Sequence, residues 1–186
     1  MSKIFFSGTI LLALFLIISG AVLSGMQEKE AEKPPVEVKI KTTTSMKIVY
    51  LEHKGPYSEL EPVFNKVMSY AMQKNLELAG PPVGIYYDDP AEVPASELRC
   101  EIGAHVKGEP EVDPPFRVKE IPSQEVGYTL LKGPYEKIAL HYPEIISSLM
   151  EQGYKIVGPI IEIYRVSGPN IQPEEYLTEV WFPVAK

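Results

Sequence analysis

An α+β domain, with antiparallel strands carrying a helix over one face, is predicted by two features of the sequence. One is strand-like alternation that recurs in two stretches; the other is a set of short motifs repeated at one offset. Lys54-Gly55-Pro56-Tyr57 returns as Lys132-Gly133-Pro134-Tyr135, Gly80-Pro81 as Gly158-Pro159, and Ile85-Tyr86 as Ile163-Tyr164. Glu97 and Glu101 stand opposite Glu175 and Glu179. Every pair is 78 positions apart, so no insertion or deletion separates the blocks. The expectation is two ββαββ halves, about 36–107 and 115–186, related by a pseudo-twofold axis and joined by the Pro-rich stretch Gly108 to Pro115. Neither half is long enough to bury a comfortable core alone, so the two make one domain with a concave cleft on the sheet face away from the helices.

The elements follow in order. Val36 to Thr43 and Met46 to His53 alternate as a strand pair, and Phe116 to Ile121 with Glu125 to Leu131 do the same. Val63, Phe64, Val67, Met68 and Ala71 fall at helical spacing after Pro62, as Ile145, Ile146, Leu149 and Met150 do after Pro143. Proline suits a first helical turn, where its missing N–H would have no partner. Gly80 and Gly153 are read as the helix exits. Val83 to Tyr87 and Leu98 to Val106 close the first half; Ile160 to Val166 and Tyr176 to Val184 close the second.

The 186 residues are 45% apolar and 23% charged, which excludes a disordered chain. A net charge of −7 argues against a nucleic-acid surface, which needs clustered Lys and Arg. One cysteine, Cys100, excludes an internal disulfide and a Cys-rich zinc site. His53, His105 and His141 have no ligand-like spacing, and no P-loop, GxGxxG or GxSxG is present, so no metal or cofactor is expected.

Ile4 to Leu23 is an uncharged apolar run of 20 residues behind Lys3. As a helix it would span about 30 Å, a bilayer's hydrocarbon thickness. Its inner part, Ile10 to Ile18, also suits a signal-peptide core, with Ser24 and Gly25 small enough for cleavage. Residues 1–25 are therefore a signal anchor or a cleaved signal, 26–35 a charged tether, and 36–186 an extracytoplasmic domain, either anchored in the membrane or secreted.

Alternation assigns faces. Val180, Phe182 and Val184 are expected to face the helices, with Glu179 and Trp181 opposite. Ile161 and Ile163 are likewise placed inward, and Glu162 and Tyr164 outward with Tyr86, Glu101, Tyr50 and Tyr128. A cleft so furnished suits an apolar or cationic aromatic molecule, through cation–π contact and charge complementarity. The bland reading is that Tyr and Trp simply favour strands. The two Gly-Pro-Tyr motifs read as turns that re-aim the chain into the helix.

Ile85-Tyr86-Tyr87-Asp88-Asp89-Pro90, Pro94 and Leu98-Arg99-Cys100-Glu101 resemble the matching segment of the gyrase-inhibitor-like (GyrI-like) proteins. Gly153-Tyr154, Gly158-Pro159, Glu162-Ile163-Tyr164 and Thr178-Glu179-Val180 resemble that family's second half, so the likeness covers about residues 37–186. The resemblance implies the effector-binding fold of multidrug-sensing regulators, an aromatic-lined pocket and a glutamate that meets cationic ligands. Glu179 and Glu162 match that acidic role, with Tyr164 and Trp181 beside them. Some members of the family hydrolyse strained cyclopropane-containing toxins, which makes a Glu179 and Tyr164 hydrolase the second expectation. A protein-interaction module is the third.

Overall fold

The computed structural model describes residues 36–168 and 170–186; the apolar run and the tether lie outside them. Among the described residues no helix is long and apolar enough to cross a membrane. In chain order the elements are β1 (Lys39–Thr42), β2 (Met46–Lys54), α1 (Glu61–Gln73), β3 (Val83–Tyr86), β4 (Arg99–Val106), β5 (Arg117–Ile121), β6 (Glu125–Lys132), α2 (Tyr142–Glu151), β7 (Lys155–Ile156), β8 (Ile160–Val166) and β9 (Leu177–Ala185).

Both helices carry their proline in the first turn. Val67 and Ala71 bury one stripe of α1 against Val49, Leu51, Ile102 and Ala104. Ile145 and Leu149 bury the stripe of α2 against Leu131, Val180 and Phe182. Leu149 is fully buried, so its truncation to Ala is expected to destabilise by about 2–5 kcal/mol. The exit of α2 is at Gly153, with φ of 82°. The exit of α1 is Asn75 rather than Gly80: its φ is 52°, and Leu76 N–H returns to the Ala71 carbonyl. Asparagine is the non-glycine residue that tolerates the left-handed cap.

All strand pairings are antiparallel, in the order β1-β6-β9-β8-β3-β4-β2-β5, with β7 on β9. Outward from the central pair β3–β8, one side runs β4-β2-β5 and the other β9-β6-β1. β1 and β2 stand near opposite ends of this order, yet only residues 43–45 join them; β5 and β6 are likewise joined by residues 122–124. Three residues span little more than about 10–14 Å, so the sheet has to curl until its ends approach. The two connections meet: Thr43 N–H donates to the Gln124 carbonyl at 2.9 Å, and Ser123 Oγ to the Thr43 carbonyl at 2.6 Å.

Curling gives the sheet a core on each face. Helices cover one. On the other, Ile48, Val83, Ile85, Val126, Ile161, Ile163 and Trp181 pack together inside the curl. The hollow expected there is thus largely filled by side chains.

Candidate functional site

Register decides which acidic residues meet. Glu162 lies opposite Val180 on β9 and Gly84 on β3, and Gly84 lies opposite Ile102 on β4. Val180 and Ile102 belong to the helix-side cores, so Glu162 and Tyr164 point toward the helices. Tyr86, opposite Cys100, does so too. The expectation that these three share the outer face is corrected. Ile161 and Ile163 fill the interior of the curl instead, so their apolar character does not mark the helix side. Glu179, Trp181, Tyr128, Tyr50 and Glu101 do occupy the face away from the helices.

On the helix side, Glu162 is only 7% exposed and is surrounded by hydroxyls. Tyr142, from the first turn of α2, donates to Oε1, and Tyr164 donates to Oε2 at 2.8 Å. Tyr86 and Tyr164 hydroxyls lie 2.6 Å apart. A hydroxyl has one proton, and Tyr164 has committed its own to Glu162, so Tyr86 is the donor in this pair. No ion pair reaches Glu162 among the described residues. Burial therefore pushes its carboxyl above the usual carboxylate range, against the two tyrosine hydrogen bonds that favour the charged form. Burial and then the Glu162 charge push Tyr86, Tyr142 and Tyr164 well above their ordinary values, which keeps them protonated donors.

Further rings enclose these hydroxyls. Tyr57 meets Tyr86 edge-on at 5.0 Å; Phe64 and Tyr135 meet Tyr164 at 4.9 and 5.2 Å; Tyr176 stacks on Tyr135 at 4.7 Å. Gly84 makes the space: a Cβ there would lie 2.8 Å from both the Tyr164 hydroxyl and the Tyr86 ring. Thr178, fully buried opposite Tyr164 in the register, has an Oγ1 with no hydrogen-bond partner among the described residues.

Sequence reasoning missed Tyr57, Phe64, Tyr135 and Tyr142. The signal was in the repeated Gly-Pro-Tyr. Gly55 and Gly133 do turn the chain, with φ of 144° and 127° that favour glycine. The same turns aim Tyr57 and Tyr135 at Tyr86 and Tyr164. Phe64 and Tyr142 sit at matching helical positions, separated by the same offset of 78 as the motifs.

The other face is arranged differently. Glu179, 4% exposed, accepts from Trp181 Nε1 at 2.7 Å, from Arg165 Nε at 2.8 Å and from Lys41. Lys41 Nζ lies 4.2 Å from the Tyr128 ring centre and 4.7 Å from that of Trp181. Burial opposes the Glu179 charge, but the bonds from Lys41, Trp181 and Arg165 outweigh it and hold the carboxyl below its usual range. Glu101 is paired with Lys119, whose Nζ lies 4.9 Å from the Tyr50 ring centre. The aromatic and acidic setting expected of this face is present, with the chain's own lysines seated in it. Tyr164 and Glu179 stand on opposite faces, so they do not form the acid–base pair expected of a hydrolase.

Comparison with known proteins agrees with this architecture. A DNA gyrase inhibitor of Pectobacterium carotovorum subsp. carotovorum (strain PC1) is 28% identical over 154 residues, 78% of this chain and 96% of that protein. The crystal structure of the EcmrR C-terminal domain superposes with a TM-score of 0.72 at 19% identity, over 81% of this chain and 98% of that one. SAV2435 bound to tetraphenylphosphonium gives 0.55 at 15% identity, over 80% and 94%. The family model of the GyrI-like small molecule binding domain matches residues 36–185, and the chain belongs to that family.

Proposed function

We propose that the Glu162 cluster is the ligand site, and that it takes an apolar molecule bearing a delocalised positive charge. The observation that carries this reading is a buried carboxylate whose partners are hydroxyls rather than cations, set among aromatic rings. A lipophilic cation would supply the missing countercharge, and ring faces add about 0.5–2 kcal/mol per cation–π contact. The unpartnered Thr178 hydroxyl and the 38% exposed Tyr135 at the rim support it as well. So does the tetraphenylphosphonium held by a protein of the same fold.

In this reading the two halves are copies facing each other about a pseudo-twofold axis between β3 and β8. One copy carries Glu162 and the other Gly84, so a single acid serves both. The domain acts outside the cytoplasm, anchored or released, where it captures toxic apolar compounds; the apolar run at residues 4–23 supports that placement.

The test is titration with tetraphenylphosphonium. Glu162→Gln is expected to weaken binding about tenfold or more, as loss of a desolvated charge pair does. Unchanged affinity would overturn the assignment. A hydrolytic reading at this same site is favoured by one observation, the hydrogen bond of Tyr164 to Glu162, whose carboxyl burial pushes above the usual carboxylate range. Turnover of strained or electrophilic probes, abolished by Glu162→Gln, would establish it.

A further inference from the structure

Inside the mouth of the curled sheet lies a hollow of about 290 Å³ that the Glu162 reading does not use. Its wall includes Lys41, Arg165, Trp181, Met46, Ile163 and His105, and no acidic side chain lines it. That is notable in a chain of net charge −7. The second hollow nearby, of about 380 Å³, has Glu109 and Glu120 beside Lys47 and so carries both signs.

We propose that this hollow binds a small organic anion, a carboxylate or sulfonate on one apolar ring. Charge counting supports the sign. Lys41 and Arg165 share the one carboxylate of Glu179, leaving one positive charge in excess. Glu179 has both oxygens occupied, Oε1 by Lys41 and Trp181 and Oε2 by Arg165, so it offers nothing to an incoming cation. His105 adds no charge at neutral pH, because burial and then Arg165 disfavour its protonated form. Lys41 and Arg165 side chains remain 31% and 41% exposed, so an anion reaches them from solvent.

Size and surface support the ring. The volume sits at the lower end of small-molecule pockets, roughly 300–1,000 Å³. Val83 and Ile163 join Met46 and the Trp181 indole as apolar wall. A bare inorganic anion would leave that wall wet; a ring on the anion covers it. The two faces of the sheet would then select opposite charges. Neither proposal depends on the other.

Trp181 is the chain's one tryptophan, so its fluorescence reports on this hollow. The full chain is titrated with benzoate, benzamide and benzylammonium, with calorimetry alongside. Benzoate is expected to give a saturable change and to bind about tenfold tighter than benzamide, with benzylammonium weaker still. Lys41→Gln and Arg165→Gln should each weaken benzoate by about fivefold or more. Arg165→Lys keeps the charge and should retain binding; it decides the matter if a glutamine variant fails to fold. The proposal is overturned if benzamide or benzylammonium matches benzoate, if inorganic phosphate competes as well as benzoate, or if neither signal saturates.

Discussion

Glu162 and Glu179 are alike by every local measure: each lies in a strand of the central sheet, is nearly buried and touches aromatic side chains. They differ in what neutralises them. Glu179 shares its charge with Lys41 and Arg165, and its proton affinity falls below the ordinary carboxylate value. Glu162 has tyrosine hydroxyls only, and its proton affinity rises. One carboxylate is therefore part of the fold's own ion network, while the other is held in a state that a ligand can improve. An acidic residue among rings is not by itself a receptor for cations; the receptor proposed above is the one the protein has left without a cation.

The largest effect that would break this contrast comes from Glu179→Ala. It leaves Lys41 and Arg165 side by side with no anion between them, and should destabilise the domain by about 2–4 kcal/mol in urea unfolding, somewhat discounted from a fully buried pair because both cations are partly exposed. A loss below about 0.5 kcal/mol would mean that Glu179 is no more committed than Glu162. Gly84→Ala comes next. The added Cβ drives into the Tyr164 hydroxyl and the Tyr86 ring at 2.8 Å, backed by packed strands. A loss of about 1–3 kcal/mol is expected, with weaker tetraphenylphosphonium binding and no change on the Glu179 side.

Glu162→Gln should act in the opposite sense. Where Glu162 is ionised its charge lacks a countercharge, so above its raised pKa the amide is expected to stabilise by on the order of 1 kcal/mol while it weakens cation binding. The pH dependence sharpens the point. Glu162 binds its proton more tightly folded than unfolded, so its contribution is most favourable below the unfolded carboxylate value and declines as pH rises through its raised folded value. Glu179 behaves inversely: its contribution is present above the unfolded value and is lost as pH falls through its lowered folded one. Denaturation midpoints of the two Glu→Gln variants, followed from acid to neutral pH, should approach wild type in acid and part from it as pH rises, Glu162→Gln toward higher stability and Glu179→Gln toward lower.

Much of the architecture was legible because both helices and all the long strands follow apolar periodicity closely. The second strand Met46–Lys54 and the eighth, Ile160–Val166, start where the alternation starts. The two-residue β7, Lys155–Ile156, was not legible, since two residues carry no period. The face of β8 was misread for a deeper reason. Alternation tells which residues share a face, but it names the face only when one side is solvated. Here both sides are packed, so Ile161 and Ile163 marked a core that was the wrong one. The partners of Glu179 were hidden because Lys41 and Arg165 come from strands whose pairing, β1 beside β6 and β8 beside β9, is set by long-range topology.

The smallest test isolates the hydroxyl relay itself. Tyr86→Phe removes the donor to Tyr164 and keeps the ring that meets Tyr57. Tyr164 still donates to Glu162, so the carboxylate keeps both hydrogen bonds and the expected loss is about 0.5–1.5 kcal/mol. Tyr164→Phe, by contrast, takes a bond from the carboxylate directly, so it should raise the Glu162 pKa further, whereas Tyr86→Phe should move it less. Carbon-detected NMR titration of the Glu162 carboxyl in the two variants separates a graded relay from three independent tyrosines. No shift in Tyr86→Phe would show that Tyr86 acts only by filling space, and that the asymmetry between the two glutamates rests on Tyr142 and Tyr164 alone.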